Sequence, residues 1–538
     1  MKRGKGIWVV AMLVAFTVLF LYNSTKHVFA ATSIEREMRA VWMSTVFNID
    51  WPSSKDYNNV EKQKATLAED MKFIKNQNMN TVFFQVRTMG DALYPSSYAP
   101  WSRFLTGTLG KNPGYNPLKS AIEEAHINGL EFHAWFNPFR IDGGSSTFNK
   151  QEYINSLPAN TGLKNNPDWI VSYGKYHWLD VGVPEVREYV MNTILEVVKS
   201  YDVDGVHLDD YFYPYPVSGV DFPDSKSFEL YGKGYSSVAD WRRDNVNKFV
   251  KELNEKIKAT KPYVKFGVSP FGIWKNGASD GGSETNGLSS YNAIYVDSRK
   301  WVQEEWIDYI VPQIYWEFGH NTADYKTLVD WWSKQMEGKK VHLYIGHAAY
   351  KVGDSYGSSW LKSDEIANQI NYGRLNKNVK GGGFFSLRDI KANRLGFFDK
   401  VKSLYSTRVA VPEMDWCKSV RKGWTMIRNS WYFLGDDGIV KTGWIEDNGK
   451  RYFLKSDGAM YTGWTKQDNW YYLGGDGAMK TGWFFSTGKW YYMGTDGTMK
   501  TGWIQVQNKW YYLYSDGHMA ANTTISGYKI GKNGVWIQ

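Results

Sequence analysis

A (β/α)8 barrel of the α/β class, followed by a solenoid of β-hairpins, is the fold that this 538-residue sequence predicts. Three observations predict it. Short apolar strands alternate with helical stretches eight times between residues 36 and 405, about the length one such barrel needs. Polar side chains gather at the C-terminal ends of those strands, where TIM-type barrels keep their sites. A repeat near twenty residues then takes over, with aromatic alternation and Asp-Gly turns.

The first strand is Met38–Thr45, and a charged amphipathic stretch over residues 60–76 leads to the second, Thr81–Arg87. A helix over 118–128 precedes the third strand, Glu131–Pro138, and one over 185–200 feeds the fourth, Gly205–Tyr211. The long helix Val238–Thr260 precedes Lys265–Phe271, and residues 298–306 precede Tyr309–Trp316. Residues 325–336 and 363–375 lead to the last two strands, Val341–His347 and Gly383–Arg388, and a helix near 395–405 closes the set. An open doubly wound sheet would more often carry a Gly-rich phosphate turn after its first strand, and none is present.

The ends and the composition bound the setting. Lys2, Arg3 and Lys5 precede an apolar run from Ile7 to Tyr22, and Val28-Phe29-Ala30-Ala31 is a small-residue cleavage pattern. Residues 1–30 therefore read as a signal peptide, with an uncleaved membrane anchor as the alternative; either places the rest of the chain outside the cytoplasm, and cleavage frees it of the membrane. The net charge of +9 includes four basic residues of that leader and no acid, so the mature chain carries +5. So mild a charge, with acids interspersed, makes nucleic acid a poor partner. Cys417 stands alone, so no intrachain disulfide exists. His133, His207, His342 and His347 show no metal-ligand spacing, and neither metal nor cofactor is expected.

The stretch Val203-Asp-Gly-Val-His-Leu-Asp-Asp-Tyr211 anchors the site. Strand alternation puts Val206 and Leu208 toward the helices and His207 and Asp209 toward the interior, with Asp210 and Tyr211 at the rim. By the same rule Gln85 and Arg87 share a face on strand two, Trp135 and Asn137 on strand three, and Gln313, Tyr315 and Glu317 on strand six. His347, Ser386 and Arg388 complete the ring, and Trp42, Trp51, Trp101, Trp135 and Trp316 offer platforms for sugar rings.

Several motifs carry a resemblance. Arg39-Ala-Val-Trp42, Asn48-Ile-Asp-Trp-Pro52, Phe84-Gln-Val-Arg87, Trp135-Phe-Asn-Pro138, Asp204–Tyr211 and Pro312-Gln-Ile-Tyr315 together resemble the glycosyl hydrolase-like ten family over residues 35–400. The resemblance implies a barrel hydrolase of the cell envelope, with members that act on peptidoglycan glycan. Family 18 chitinases are a looser comparison. Of their strand-four acids the third is matched by Asp209, while His207 and Tyr211 replace the second acid and the glutamate. Glycoside hydrolysis usually needs two carboxyl groups flanking the bond. Asp209 is read as nucleophile or base and Glu317 as proton donor, with Asp210 as the alternative acid. Arg87, Asn137 and Tyr315 would orient sugar hydroxyls and hold Asp209 ionised, and Trp42, Trp135, His207, Tyr211, Gln313, His347 and Arg388 complete the substrate-binding set.

Residues 31–408 are assigned to the barrel, 409–422 to a linker and 423–538 to the repeats. Few contacts should cross the linker, so a chain ending near Leu404 is expected to fold. The repeats resemble choline-binding, or cell-wall-binding, repeats: Gly-Trp recurs at Trp424, Trp444, Trp464, Trp483 and Trp503, and the aromatic triplets begin at Trp431, Arg451, Trp470, Trp490 and Trp510. The resemblance implies aromatic cages that hold the quaternary ammonium of choline on teichoic acid, roughly 0.5–2 kcal/mol per cation–π contact. Trp444, Trp464, Trp470, Tyr472, Trp483, Trp490, Tyr492, Trp503, Trp510 and Tyr512 are the expected cage residues, and Arg451 breaks the pattern where other repeats have tryptophan. The expectation is a secreted, wall-associated glycosidase tethered by its tail to peptidoglycan. A lectin-like wall-binding protein, a transglycosylase-like reaction, and cleavage assisted by the substrate's acetamido group remain open alternatives.

Overall fold

A computed structural model describes residues 34–143, 148–159, 161–417, 422–436 and 438–537. The expected signal peptide, residues 1–30, lies outside them.

Eight parallel strands close into a barrel: β1 (Met38–Met43), β2 (Thr81–Arg87), β3 (Glu131–Phe136), β4 (Gly205–Leu208), β5 (Lys265–Val268), β6 (Tyr309–Ile310), β7 (His342–His347) and β8 (Val379–Phe384). Each strand pairs with its neighbours in chain order, and β1 pairs with β8 to close the ring. Helices alternate with the strands, as expected for parallel pairing. Helix Val60–Asn76 buries Leu67, Met71 and Ile74, spaced four and three residues apart on one face, and its N-terminus is capped by the Asn59 side chain on the Lys62 amide. Pro184 opens the helix before β4, where its missing N–H costs nothing.

The barrel has two cores. Val41, Val82, Phe84, Phe132, Val206, Leu208, Val268 and Ile310 face the helices. Met38, Ala40, Trp42, Phe83, Trp135, Tyr309, Val311 and Tyr344 fill the interior. This is the alternation of strand residues in its expected sense, and β4 follows it: Val206 and Leu208 are outside, while His207 is inside.

Residues 409–417 do not form a free linker, which corrects the boundary expected from composition. Met414 and Cys417 are buried against the interior core from below. Val409 is buried as well, and its carbonyl accepts from Asn80. The Glu37 amide donates to the Ala410 carbonyl, and the Trp416 indole N–H donates to Asp308 at 2.8 Å. The segment is a plug under the barrel. Its apolar residues are too widely spaced for any periodicity to reveal them.

The tail is a stack of two-stranded antiparallel hairpins, Gly423–Ile427 with Ser430–Leu434, Gly443–Asp447 with Lys450–Leu454, Gly463–Lys466 with Trp470–Leu473, Gly482–Ser486 with Lys489–Met493, and Gly502–Val506 with Lys509–Leu513, ending in a three-stranded sheet. Backbone bonds tie each turn to an earlier hairpin, as when the Met499 amide donates to the Trp470 carbonyl. The Asp-Gly turns are needed for this packing. Gly477 has φ +76°, and a Cβ there would strike the Met460 sulfur.

Candidate active site

A pocket of about 290 Å³ opens at the C-terminal end of the barrel. Its walls are aromatic and its deepest charged groups are Asp209 and Asp210, which end β4. Both carboxyl groups are buried. The Asp209 carboxylate accepts from the Asp210 backbone amide at 2.9 Å and from Gln313 Nε2 at 3.4 Å. Asp210 accepts from the Tyr215 hydroxyl at 2.6 Å.

The two buried carboxyl groups are neighbours at the end of β4, so their protonation is set jointly. Burial and the neighbouring Asp209 charge raise Asp210 well above the carboxylate range. Asp209 is raised too, chiefly by burial, but the bonds from Asp210, the charge of Arg140 and the Trp135 indole N–H oppose the rise. That N–H is buried and makes no hydrogen bond of ordinary geometry among the described residues. Of the two, Asp210 is the group whose proton is held more strongly.

Trp42, Trp135, Asn137, Tyr211, Gln313 and Tyr315 line the pocket as the alternation of their strands led us to expect. Gln313 is held by donating to the Ser269 carbonyl, and Asn137 by donating to that of Thr88. Five of the expected catalytic and substrate-binding residues lie elsewhere, and so do Ser386 and the expected platforms Trp51, Trp101 and Trp316.

Arg87 is turned away. The β2–β3 register slips between Gln85 and Arg87, which sets Arg87 opposite the outward-facing Phe136. Its charge acts instead on Tyr94, Tyr153 and Tyr189 behind the barrel wall. Glu317 is not in the pocket wall: β6 ends at Ile310, Gln313 and Tyr315 still reach the pocket from the chain beyond it, and that chain then carries Glu317 away. Its carboxylate accepts from the Trp360 indole at 2.6 Å. His347 falls on the face of Leu343 and Ile345, toward the helices, where it meets Gln369 at 3.1 Å. Burial lowers its pKa to about 4. The Arg388 side chain is largely exposed beside Asp389, while its amide donates to Asp50.

His207 faces inward but sits one layer below the pocket, stacked on Phe83 with centroids 4.2 Å apart. Trp42 Nε1, which can only donate, meets its Nε2 at 3.2 Å, so the ring carries its proton on Nδ1 and donates to Tyr309. Tyr309 passes the chain to His133, and His133 to Glu131, which pairs with Lys265 at 2.6 Å. Burial lowers the His207 pKa well below its usual value, so the ring is a neutral part of the barrel's polar core.

Arg140 and Tyr215 were missed. Arg140 supplies the cation near Asp209 that Arg87 was expected to provide, and it lies 4.5 Å over the Tyr211 ring. Tyr215 reaches the pocket from the loop after β4 and packs its ring against Phe271 at 5.2 Å. The aromatic run Tyr211-Phe-Tyr-Pro-Tyr215 was the available signal, but nothing in it distinguishes Tyr215 from Tyr213, which is buried behind the loop. Asp50, from the Asn48–Pro52 motif, receives bonds from the Ser44 and Arg388 amides and the Ser386 hydroxyl, and so ties β1 to the chain after β8 at the rim. Among the described residues no three His, Cys, Asp or Glu side chains gather to hold a metal.

In the tail, each Gly-Trp indole meets a tyrosine of the following hairpin rather than closing only on its own triplet. Trp464 lies 4.9 Å from Tyr491, and Trp483 lies 4.8 Å from Tyr511. Tyr472, Tyr492 and Tyr512 sit across the hairpin from Trp464, Trp483 and Trp503 at 5.1–5.3 Å. Trp470, Trp490 and Trp510 are exposed beside these pairs.

A closed parallel barrel with a buried carboxyl pair at its C-terminal mouth, followed by aromatic hairpin repeats, defines a glycoside-hydrolase type of barrel joined to a wall-binding tail. The comparisons agree: the model "Glycosyl hydrolase-like 10" matches residues 37–361, and the chain belongs to that family. Choline-binding repeat models match residues 441–484 and 500–536, and a cell wall binding repeat matches 422–440 and 481–499. Glycosyl hydrolase YngK of Bacillus subtilis (strain 168) is 47% identical over 386 residues, spanning 71% of this chain and 74% of that protein. Glycosyl hydrolase DigH of Escherichia coli (strain K12) is 40% identical over 327 residues, spanning 59% of this chain and 74% of that one. The tail is 45% identical to choline binding protein F of Streptococcus pneumoniae, solved with a peptidoglycan analogue. That match covers 22% of this chain and 40% of the other, with a TM-score of 0.22.

Proposed function

We propose that this protein is a secreted glycosidase that cuts the N-acetylated glycan of peptidoglycan and is held to the wall by choline groups on teichoic acid. The observation that carries the proposal is the buried pair of neighbouring carboxyl groups, Asp209 and Asp210, lining an aromatic pocket. Two carboxyl groups that flank a sugar stand about 5–5.5 Å apart for retention and about 6.5–9.5 Å for inversion. Asp209 and Asp210 are consecutive residues tied through the Asp210 amide at 2.9 Å, an arrangement unlike two carboxyl groups set on opposite sides of a sugar ring. This favours assistance by the substrate's own acetamido group. Asp210 gives its proton to the glycosidic oxygen as that C–O bond breaks. The acetamido oxygen forms the new bond to the anomeric carbon, and Asp209 holds the acetamido N–H. Water then opens the cyclic intermediate and returns a proton to Asp210. Arg140 keeps Asp209 ionised, and the indoles of Trp42 and Trp135 support the sugar from the pocket wall.

Purified protein incubated with peptidoglycan, either intact or stripped of peptides, should release new reducing ends detectable by mass spectrometry. Glycan stripped of its N-acetyl groups should resist. No release from any substrate would leave the lectin-like reading.

The pH profile has a definite sign. Activity should fall as pH drops and the pair takes a second proton, and fall again as pH rises and Asp210 loses its own. Both limbs lie above the ordinary aspartate value of about 3.9, since both groups are raised. Tyr215→Phe removes a donor that stabilises ionised Asp210, so it should move the alkaline limb upward. An unmoved limb in the kcat/KM profile would show that Tyr215 does not act on Asp210.

For the tail, the full chain should bind a tertiary-amine resin and elute with free choline. Passage straight through the column would remove choline as the ligand.

A further inference from the structure

We infer that the aromatic site built on Trp444 is filled by this chain's own Arg451 and takes no choline, while the sites on Trp464, Trp483 and Trp503 stay open. The inference rests on the choline-binding reading of the tail. Every Gly-Trp indole has the same first wall, a tyrosine of the next hairpin; for Trp444 it is Tyr471 at 4.8 Å. The second wall is the residue that opens the aromatic triplet. In the later hairpins this is Trp470, Trp490 or Trp510, exposed by 42, 45 and 39% and free to close over a ligand.

In the second hairpin that position is Arg451. The register is unchanged: Glu446 faces Arg451 as Phe485 faces Trp490 and Gln505 faces Trp510. The backbone therefore delivers a guanidinium where the other hairpins deliver an indole. Its central carbon lies 4.7 Å from the centroid of the Trp444 ring. Among the described residues of the tail, no other Gly-Trp indole has a cation recorded over it; the other cation contact there is Lys455 over Tyr461.

A guanidinium is flat, weakly hydrated and permanently charged, and it stacks well on an indole. Choline arriving at Trp444 would have to displace a cation tethered by the backbone at high effective concentration. It would also lack the second aromatic wall. The same substitution thus removes a wall and supplies a competitor. The array of choline sites has a gap at its second hairpin, and that hairpin serves to stack its neighbours.

The test counts choline sites on the full-length protein by titration calorimetry. Trp444→Ala should leave the count unchanged, Trp483→Ala should lower it by one, and Arg451→Trp should raise it by one. A loss for Trp444→Ala equal to that for Trp483→Ala would overturn the inference. So would an unchanged count for Arg451→Trp when circular dichroism shows the hairpins intact. A second readout does not depend on choline binding anywhere. The Arg451 side-chain resonances should be shielded by the Trp444 ring current and should not move with saturating choline. Unshielded resonances, or resonances displaced by choline, would overturn the stacking. If the protein binds no choline at all, the tail's proposed ligand is wrong, and the shielding alone decides whether Arg451 fills the site.

Discussion

Asp210→Asn is expected to lower turnover roughly a thousandfold or more, about 4 kcal/mol of barrier, without unfolding the protein. The substitution is close to isosteric with a neutral carboxylic acid, the form that the raised Asp210 pKa favours. The asparagine carbonyl can still accept from Tyr215, and the backbone amide can still donate to Asp209, so the local hydrogen bonds survive while the transferable proton is lost. Asp209→Asn should fall as far. It replaces the accepting carboxylate by a group that cannot draw the same proton or hold a positive centre beside it. Glu317→Gln is the informative contrast. Its carboxylate is engaged by Trp360 outside the pocket, and a glutamine oxygen can keep that bond. Activity within a few-fold of the parent is expected. Should Glu317→Gln be inactive while Asp210→Asn turns over normally, the acid is on the sixth strand and the carboxyl-pair mechanism fails.

Truncation should have the second large effect. A chain ending at Leu404 is expected to unfold cooperatively at much lower denaturant than one ending at Cys417, or not to fold. The shorter chain uncovers Met38 and Tyr344 at the barrel's lower end and leaves Asp308 without Trp416. It also loses the buried side chains of Val409, Met414 and Cys417. Burial of a Val or Met side chain contributes roughly 1.5–3 kcal/mol, and each hydrogen bond about 0.5–1.5 kcal/mol. The loss is on the order of 5 kcal/mol or more, comparable to the whole stability of a typical domain, about 5–15 kcal/mol. Equal denaturation midpoints for the two chains would show that the plug is not part of the barrel's fold. The first hairpins also touch the barrel, through Arg428 with Glu123 and Glu124 and through Ile127 beside Ile427 and Tyr432. Those contacts are exposed ion pairs and a small apolar patch, so their loss should cost far less.

The sequence by itself determined what short-range periodicity encodes. Eight strand–helix alternations require a closed parallel barrel, because each strand needs a helix to cover its outer face. The alternation within Gly205–Leu208 puts Asp209 at the mouth with no further information, and it does the same for Trp135, Asn137 and Gln313. The repeat of about twenty residues likewise dictates stacked hairpins, since one hairpin cannot bury its own aromatic face.

Only the tertiary structure decided the rest. Alternation holds while a strand lasts, and where it stops depends on what packs against it. The slip at the end of β2 exchanges Arg87 for Arg140. The early end of β6 releases Glu317 from the face of Gln313. His347 lies three positions from the inward Tyr344, so it goes to the helices. Tyr215 and Met414 reach the site and the plug along irregular chain, whose path is fixed by the cavities it must fill rather than by any pattern along the sequence. Arg451 shows both levels at once. Its departure from the repeat was legible, but that its guanidinium rests on Trp444 follows from the cross-strand register and from the open indole face that the neighbouring hairpin leaves beside it.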